Sequence, residues 1–316
     1  MKILITGGAG FIGSHLAEYF INSNHEVFIL DNLSTGHRSN VSFVDDSHFI
    51  ENDVTNKILV QDLIKKEQFD IVIHLAAVVS VVETINNPIH SQKVNIDGTL
   101  NILEANRQYN ENLKKFVFAS SAAVYGNTKG LPKKVETFID PESPYAIEKY
   151  AGEQYTKLYN KLYGLPTTAL RFFNIYGPRQ DPSSPYSGVL SIMHSKFQQD
   201  EAFKFFGDGE QTRDFVYVKD LVQAVSIVIN SDYANGGIYN LGTSKPLSLL
   251  EMFDEFKKLY SKTIDYSFTE ARSGDIKHSY AEIDDLKALG YTPKYSVEEG
   301  LKEYINYTDN NSKTGE

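Results

Sequence analysis

An α/β protein on a doubly wound parallel sheet, with a smaller α/β lobe interleaved, is what this sequence predicts, and three observations carry the reading. Short apolar runs alternate with amphipathic stretches over the first half of the chain. The runs are apolar throughout, not polar at every second position. A cluster of glycines stands where the first run meets the first helix. Strands buried on both faces read as continuous apolar runs, and such strands belong to parallel sheets covered by helices on both sides.

Lys2 to Thr6 is the first strand; it breaks into Gly7, Gly8, Gly10 and Gly13 and turns into a helix carrying Phe11, Ile12, Leu16, Phe20 and Ile21. Residues 26–30 form a second strand closed by Asp31, and 48–53 (HFIEND) a third. An amphipathic helix over 56–67 leads to a nearly continuous buried strand at 70–76 (DIVIHLA). A long helix over 87–108 and another buried strand at 115–121 (KFVFASS) follow. After a strand at 167–174 (TTALRFFN), residues 176–188 hold three prolines and two glycines, the mark of a loop leaving the sheet. Residues 218–230 resume a helical pattern and 238–242 a strand, so the chain is expected to return to the sheet. Ser248 with Glu251 is a capping box, and the helix it opens places Leu249, Phe253, Phe256 and Tyr260 on one face. Ser296 with Glu299 repeats the device, and 310–316 reads as a frayed tail. The expected division is a dinucleotide-binding unit of 1–175 with about 214–242, and a lobe of about 176–213 with 243–309.

Forty-one acidic against 31 basic residues give a net charge of −10 over 316 residues. That balance argues against nucleic acid or an anionic membrane as partner. With no cysteine, disulfides, thiolate catalysis and cysteine-ligated metal are excluded. No spacing of His with carboxylates suggests a metal; His74, inside an apolar strand, reads as a satisfied core histidine, and His15 and His194 carry no assignment. The first strand starts at residue 2 without an apolar leader, and no stretch reaches membrane-spanning length, so a soluble cytoplasmic protein is expected.

The glycine turn has a definite use. Strand, glycine turn and helix start in succession let the backbone approach a pyrophosphate and aim the first-turn amides at it, with the positive end of the helix dipole behind them. Asp31 at the end of the second strand can accept the hydroxyls of an adenosine ribose, which points to NAD on a Rossmann-type sheet. Arg38 leaves the 2′-phosphate of NADP open as an alternative, which Asp31 would repel. Ligands of such sheets collect at the carboxyl ends of the strands, where Asp53, Ala76 and Ala77 stand; close packing alone would equally explain the alanines.

Ser143 and Pro144 suit a helix start, so Tyr145 and Lys149 lie one turn apart on one face. An ammonium beside a phenol lowers the phenol's pKa and makes it a base usable near neutral pH. Ser120 and Ser121 close the preceding buried strand, and the Ser121 hydroxyl can share the substrate oxygen that Tyr145 deprotonates.

On TGGAGFIG, DNLSTG, HLAA, VNIDGT, SSAAVYG, SPYAIEK, LRFFNIYGPRQ, GDGEQTRDFVYVKD and YNLGT, in that order along almost the whole chain, the sequence resembles the extended short-chain dehydrogenase/reductase superfamily. Within it, the chain is similar to the nucleotide-sugar 4-epimerases. The resemblance implies Tyr145 as base, Lys149 as its partner at the nicotinamide ribose, and Ser121 as second hydroxyl. It implies a cofactor site at Gly7, Gly10, Phe11, Ile12, Gly13, Asp31, Asn32, Ser34, Gly36, Asp53, Val54, Leu75, Ala76, Ala77, Asn95, Ser120 and Phe172. The UDP-sugar would meet Asn174, Val189, Phe206, Arg213, Arg272, Asp275 and Ser279; the arginines suit a diphosphate and Phe206 offers a face to a base. A homodimer through helices near 90–108 and 145–162, and a place in surface polysaccharide precursor synthesis, are further implications.

The related 4,6-dehydratases carry a Thr-Asp-Glu triplet, and the decarboxylases a glutamate, where this chain reads Ser121, Ala122, Ala123. Loss of water therefore lacks its acid and base, and hydride transfer remains: oxidation at sugar C4, rotation of the 4-keto sugar, and return of the hydride to the other face. In the epimerases, a gate residue four past the aspartate of Arg-x-Gly-Asp is small where N-acetylated sugars fit. Counting from Asp275 reaches Ser279, which implies UDP-GlcNAc/UDP-GalNAc alongside UDP-Glc/UDP-Gal; a slip of one residue puts Tyr280 there and reverses this. A UDP-glucuronate epimerase, a decarboxylase or dehydratase, and an NAD-sensing protein without catalysis stand as rivals. The first needs a cation facing C6 that the sequence does not locate, and the last would be expected to lose Tyr145 or Lys149.

Overall fold

The computed structural model describes residues 1–180, 188–271 and 276–314. The opening apolar run forms β1 (Lys2–Thr6), and Gly7, at φ +69, turns it into α1 (Phe11–Asn22). There follow β2 (Glu26–Asp31), β3 (Phe49–Glu51), α2 (Lys57–Glu67) and β4 (Ile71–His74). Ser80 then caps a helix that periodicity did not disclose, α3 (Val81–Asn86), by accepting the Glu83 amide at 3.0 Å.

The single helix expected over 87–108 is three pieces in one rod. α4 (Pro88–Gln92) and α5 (Thr99–Tyr109) are joined by a π-helical turn over Lys93–Gly98. A π turn inserts a residue into the helical ladder and turns a side chain inward; here it is Asn95. The core then gains β5 (Lys115–Ser121), α6 (Pro144–Tyr163) and β6 (Thr167–Phe172).

The strand read over 167–174 stops at Phe172. After Phe173 the chain leaves for another sheet as β7 (Asn174–Tyr176), followed by α7 (Val189–Gln199), β8 (Phe203–Phe206) and β9 (Thr212–Tyr217). It returns through α8 (Val218–Ile229) to β10 (Ile238–Leu241), then adds β11 (Pro246–Ser248), α9 (Leu249–Tyr260), β12 (Tyr266–Thr269), β13 (His278–Ser279), α10 (Asp284–Ala288) and α11 (Val297–Thr314). The last helix runs to Thr314, so the chain stays helical where a tail was expected from Asn310. Both capping boxes form: Ser248 and Glu251 exchange bonds of 2.7 and 3.1 Å, and Ser296 and Glu299 bonds of 2.8 and 3.2 Å.

The central sheet is parallel, in the order β10-β6-β5-β4-β1-β2-β3, so the order reverses between β1 and β4. Ligands of doubly wound sheets bind at that reversal, outside the carboxyl ends of the strands. β7, β9, β11 and β13 form a second sheet, with β9 between antiparallel β11 and parallel β13, and β12 pairs with β8. Its core is separate and aromatic: Phe197, Phe203, Phe205, Phe253 and Phe256 pack among Tyr176 and Tyr217. No helix of the described residues is long and apolar enough to cross a membrane.

Candidate active site

The glycine loop is shaped by backbone on both sides. A Cβ on Gly7 would stand 2.8 Å from the Ala76 nitrogen, and one on Gly13 would stand 2.3 Å from the Gly7 carbonyl oxygen. α1 therefore starts directly on the loop, and Gly10, its N-cap, has no side chain to bond the first amides. Those amides are the donor set a pyrophosphate requires.

Asp31 closes β2 at 7% exposure and accepts the amides of Ala9 at 2.9 Å and Leu33 at 2.8 Å. Burial pushes its carboxyl up against those two bonds. Beside it the Asn32 amide donates to Asp53 at 2.7 Å, while the Asn32 oxygen accepts the Ser34 amide at 3.0 Å. Burial works against the Asp53 carboxylate, but the bonds from Thr55 and Asn32 hold it below the usual range. Gly36 packs onto Ala9, where a Cβ would come within 2.9 Å of the backbone. Asp31, Asn32, Ser34, Gly36 and Asp53 thus share one rim, which the glycine loop with Phe11 and Ile12 faces. Leu75, Ala76 and Ala77 run past it from β4, Ala76 bonded to the Thr6 hydroxyl at 3.3 Å. Arg38, the sequence's reason to weigh NADP, is spent within its own loop. It donates to the carbonyls of Val41 and Val44 and to Asp46 at 2.6, 2.7 and 2.8 Å, and lies over the Phe49 ring. The rim fits a dinucleotide: glycines where a Cβ would strike backbone, at Gly7 and Gly13, a helix start without a side-chain cap, and a carboxylate at the strand end.

Three residues expected at the cofactor turn their side chains elsewhere. Ser120, 2% exposed, donates to Glu153 at 2.8 Å, inside a network with Arg171. Val54 is core, packed beneath Gly98. The Asn95 carboxamide pairs with both backbone groups of Val78, at 2.7 and 3.0 Å, and gives its other hydrogen to Glu148 at 2.6 Å. Each is diverted by a partner distant in sequence.

At the carboxyl end of β5 the candidate catalytic residues lie close together. The Ser143 hydroxyl caps α6 by accepting the Ala146 amide at 3.2 Å, which sets Tyr145 in the first turn, its phenol near enough to Ser121 for that hydroxyl to favour the phenolate. Ser121 also accepts the Ala123 amide at 3.2 Å. Lys149 is buried, donates to the Ala119 carbonyl at 2.9 Å and lies over Phe118. Here the electrostatics differ from the expected arrangement. Burial pushes the Tyr145 phenol up, the Ser121 bond opposes it, and Glu148 adds to the rise; Lys149 is not among the causes. Lys149 itself is pushed down to about 8 by burial, against Glu148, because its ammonium faces a carbonyl and an aromatic ring. His74 is the satisfied core histidine expected, between the hydroxyls of Thr6 at 2.7 Å and Thr99 at 2.9 Å, and burial pushes it down to about 3. His15 bonds the Pro178 carbonyl at 2.9 Å.

A cleft opens from Ser121. Ala122, Ala123, Phe172 and Asn174 line one wall; Arg213, Ile276 and Ser279 line the other. β13 pairs with β9 in the register Ser279↔Arg213, which brings those two side chains to the same place. Ser279 lines the cleft and Tyr280 does not; the Tyr280 carbonyl accepts the Lys133 amide at 2.8 Å. Arg213 also donates to the Thr212 carbonyl at 2.9 Å. Phe206 ends β8, its carbonyl bonded by Gln211 at 2.7 Å, and Val189 opens α7 against the second core. Arg272 and Asp275 lie outside the described residues. Among the described residues, none that lines the cleft is a carboxylate.

The pattern of the NAD dependent epimerase/dehydratase family matches residues 3–242. The chain belongs to that family. It is 41% identical over 313 residues to a putative UDP-glucose 4-epimerase of Methanocaldococcus jannaschii, spanning 99% of this chain and 100% of that one. Among solved structures it resembles the UDP-glucose 4-epimerase of Thermotoga maritima with UDP-glucose, at TM-score 0.92, 35% identity and full coverage of both chains. It also resembles the UDP-N-acetylglucosamine 4-epimerase of Methanobrevibacter ruminantium in complex with UDP-N-acetylmuramic acid, at TM-score 0.91, 36% identity and 98% of each chain.

In this epimerase/dehydratase family member, sequence reading passed over Glu148, Glu153 and Arg171. One signal was available: Glu148 and Glu153 fall on the stripe of α6 that Tyr145 and Lys149 direct toward the sheet, where a carboxylate must be paired.

Proposed function

We propose that the chain is an NAD-dependent 4-epimerase of UDP-hexoses that interconverts UDP-Glc with UDP-Gal and accepts the N-acetylated pair as well. The observation that carries this is the meeting of Ser121 and Tyr145 at the end of β5, beside Ala122 and Ala123 on the cleft wall, with no carboxylate among the described lining residues. Expulsion of water or carbon dioxide calls for a further acid or base at the place of Ala122 and Ala123. Proton movement at a single hydroxyl calls only for Tyr145 and Ser121.

NAD would be held at the glycine loop and the Asp31 rim and would supply the hydride acceptor for C4 oxidation and a cationic ring. Tyr145 takes the C4 hydroxyl proton, the Ser121 hydroxyl orients that oxygen, and Lys149 carries positive charge below about pH 8. Tyr145 is a phenol at rest because burial disfavours its anion; positive charge brought to the site would lower its pKa, so that the phenol first gives its proton to solvent and the resulting phenolate is the base that takes the C4 proton. Tyr145 returns a proton to the 4-keto oxygen in the second half-cycle. In this reading residues 1–175 with 214–242 hold NAD, and 176–213 with 243–309 hold the UDP-sugar, Arg213 at the diphosphate. The test is incubation with each UDP-hexose and chromatographic separation of the 4-epimers; absence of the 4-epimer from UDP-Glc and UDP-GlcNAc alike overturns it.

Ser279 carries the breadth of the reading. Serine on the cleft wall leaves room that a phenol would fill, so Ser279→Tyr is expected to lower turnover of UDP-GlcNAc relative to UDP-Glc by roughly 10- to 100-fold. Equal losses on both sugars remove Ser279 as the gate.

We also assign a homodimer. Val82, Ile85, Ile89 and Leu162 on α3, α4 and α6 are 56%, 57%, 77% and 62% exposed, apolar side chains that a second copy would cover. Sedimentation equilibrium should return the mass of two chains.

A further inference from the structure

We propose that Glu148 is a positioning residue of the reaction: its buried carboxylate orients Asn95 and, through Asn95, the Val78 segment after β4. This rests on the epimerase reading for its kinetic consequence, while the geometry stands by itself.

Glu148 is 4% exposed and lies between Tyr145 and Lys149 on α6. One oxygen accepts the Ser91 hydroxyl and the other the Asn95 amide, both at 2.6 Å. An ionised carboxylate only accepts, so it decides which end of the Asn95 carboxamide faces it. The NH2 group must turn to Glu148 and the oxygen toward the Val78 amide, which it reaches at 2.7 Å. The second Asn95 hydrogen closes on the Val78 carbonyl at 3.0 Å. Val78 follows Leu75, Ala76 and Ala77, the stretch beside Gly7, so the α6 carboxylate sets the wall of the dinucleotide cradle. The π turn over Lys93–Gly98 is what brings Asn95 within reach.

The same carboxylate sets charge. The groups acting on Lys149 are the Ala119 carbonyl and Phe118 ring on β5, neutral His74 on β4, and Glu148 on its own helix. Glu153, one turn on, is spent on Arg171. Glu148 is thus the anion that keeps the buried ammonium protonated toward pH 8, and it also disfavours the Tyr145 phenolate.

Glu148→Gln preserves shape and removes charge. Expected are NAD retained, KM for UDP-Glc within about twofold and kcat down about tenfold, with the alkaline limb of the pH-rate profile moved roughly one pH unit lower. A readout free of activity is the tyrosinate difference titration of cofactor-free protein, with Tyr145→Phe as background; the Tyr145 step should move to lower pH in Glu148→Gln. Ser91→Ala keeps the carboxylate and should leave both curves in place. If Glu148→Gln does not fold, Glu148→Asp decides: it keeps the charge and loses reach, so the limb should stay while kcat falls. Profiles and titrations of Glu148→Gln that overlay the parent overturn the proposal, as do equal shifts in Ser91→Ala, or Glu148→Asp with parental kcat. Should the parent not epimerise UDP-hexoses, the functional reading fails while the titration still judges Glu148.

Discussion

Tyr145→Phe is expected to lower epimerisation by about 10²- to 10⁴-fold while the protein stays folded and keeps NAD. Removing the phenol oxygen deletes the group that takes and returns the C4 proton, which raises the barrier by about 3 to 5.5 kcal/mol. The ring stays, so the packing of the first turn of α6 beneath the Ser143 cap is preserved. Ser121 loses its phenol partner but keeps the Ala123 amide, so no polar group is orphaned. Turnover on UDP-Glc, beside the NAD released on denaturation, measures the effect. Near-normal turnover would remove Tyr145 as the base, and loss of bound NAD would show that the phenol holds the cofactor instead.

That expectation was legible in SPYAIEK, but its electrostatics were not. Spacing places Tyr145 and Lys149 on one face of a helix; it does not say that the Lys149 ammonium turns to the Ala119 carbonyl, 30 residues away in the chain. Local patterns were faithful wherever a single physical cause acts along the chain. Gly7 and Gly13 are dictated by backbone approach, the strands of the central sheet by burial on both faces, and the helix starts at Ser143 and Ser248 by their own hydroxyls. The second sheet escaped because β7, β11 and β13 are three residues long or fewer and every residue of β12 is exposed. Such strands are stabilised by partners and carry no period of their own. Ser120 and Asn95 were read by position in a motif, and their side chains are set by Glu153 and Glu148, acids that look like surface residues on an amphipathic helix until the sheet is in place.

Glu153 is the acid whose loss should cost most stability. It is fully buried and bidentate to Arg171 at 2.7 and 2.8 Å, with Ser120 donating to the same carboxylate at 2.8 Å. Arg171 extends the network to the Tyr125 hydroxyl at 2.8 Å and the Val135 carbonyl at 2.9 Å, and Tyr125 donates to Asn240 at 2.6 Å. The network ties α6, β5, β6 and β10 together beneath the cleft. Glu153→Leu leaves a guanidinium in the interior without its counter-charge, so a loss of about 3–5 kcal/mol in unfolding free energy is expected, measured by urea titration. A second variant separates charge burial from lost packing. Glu153→Leu with Arg171→Met removes both ions, and it should recover part of the loss because the cost lies in the stranded charge more than in the missing attraction. A double variant as unstable as the sum of the two singles would place the cost in the Tyr125 and Asn240 contacts instead. A single variant that loses less than about 1 kcal/mol would mean that water reaches Arg171.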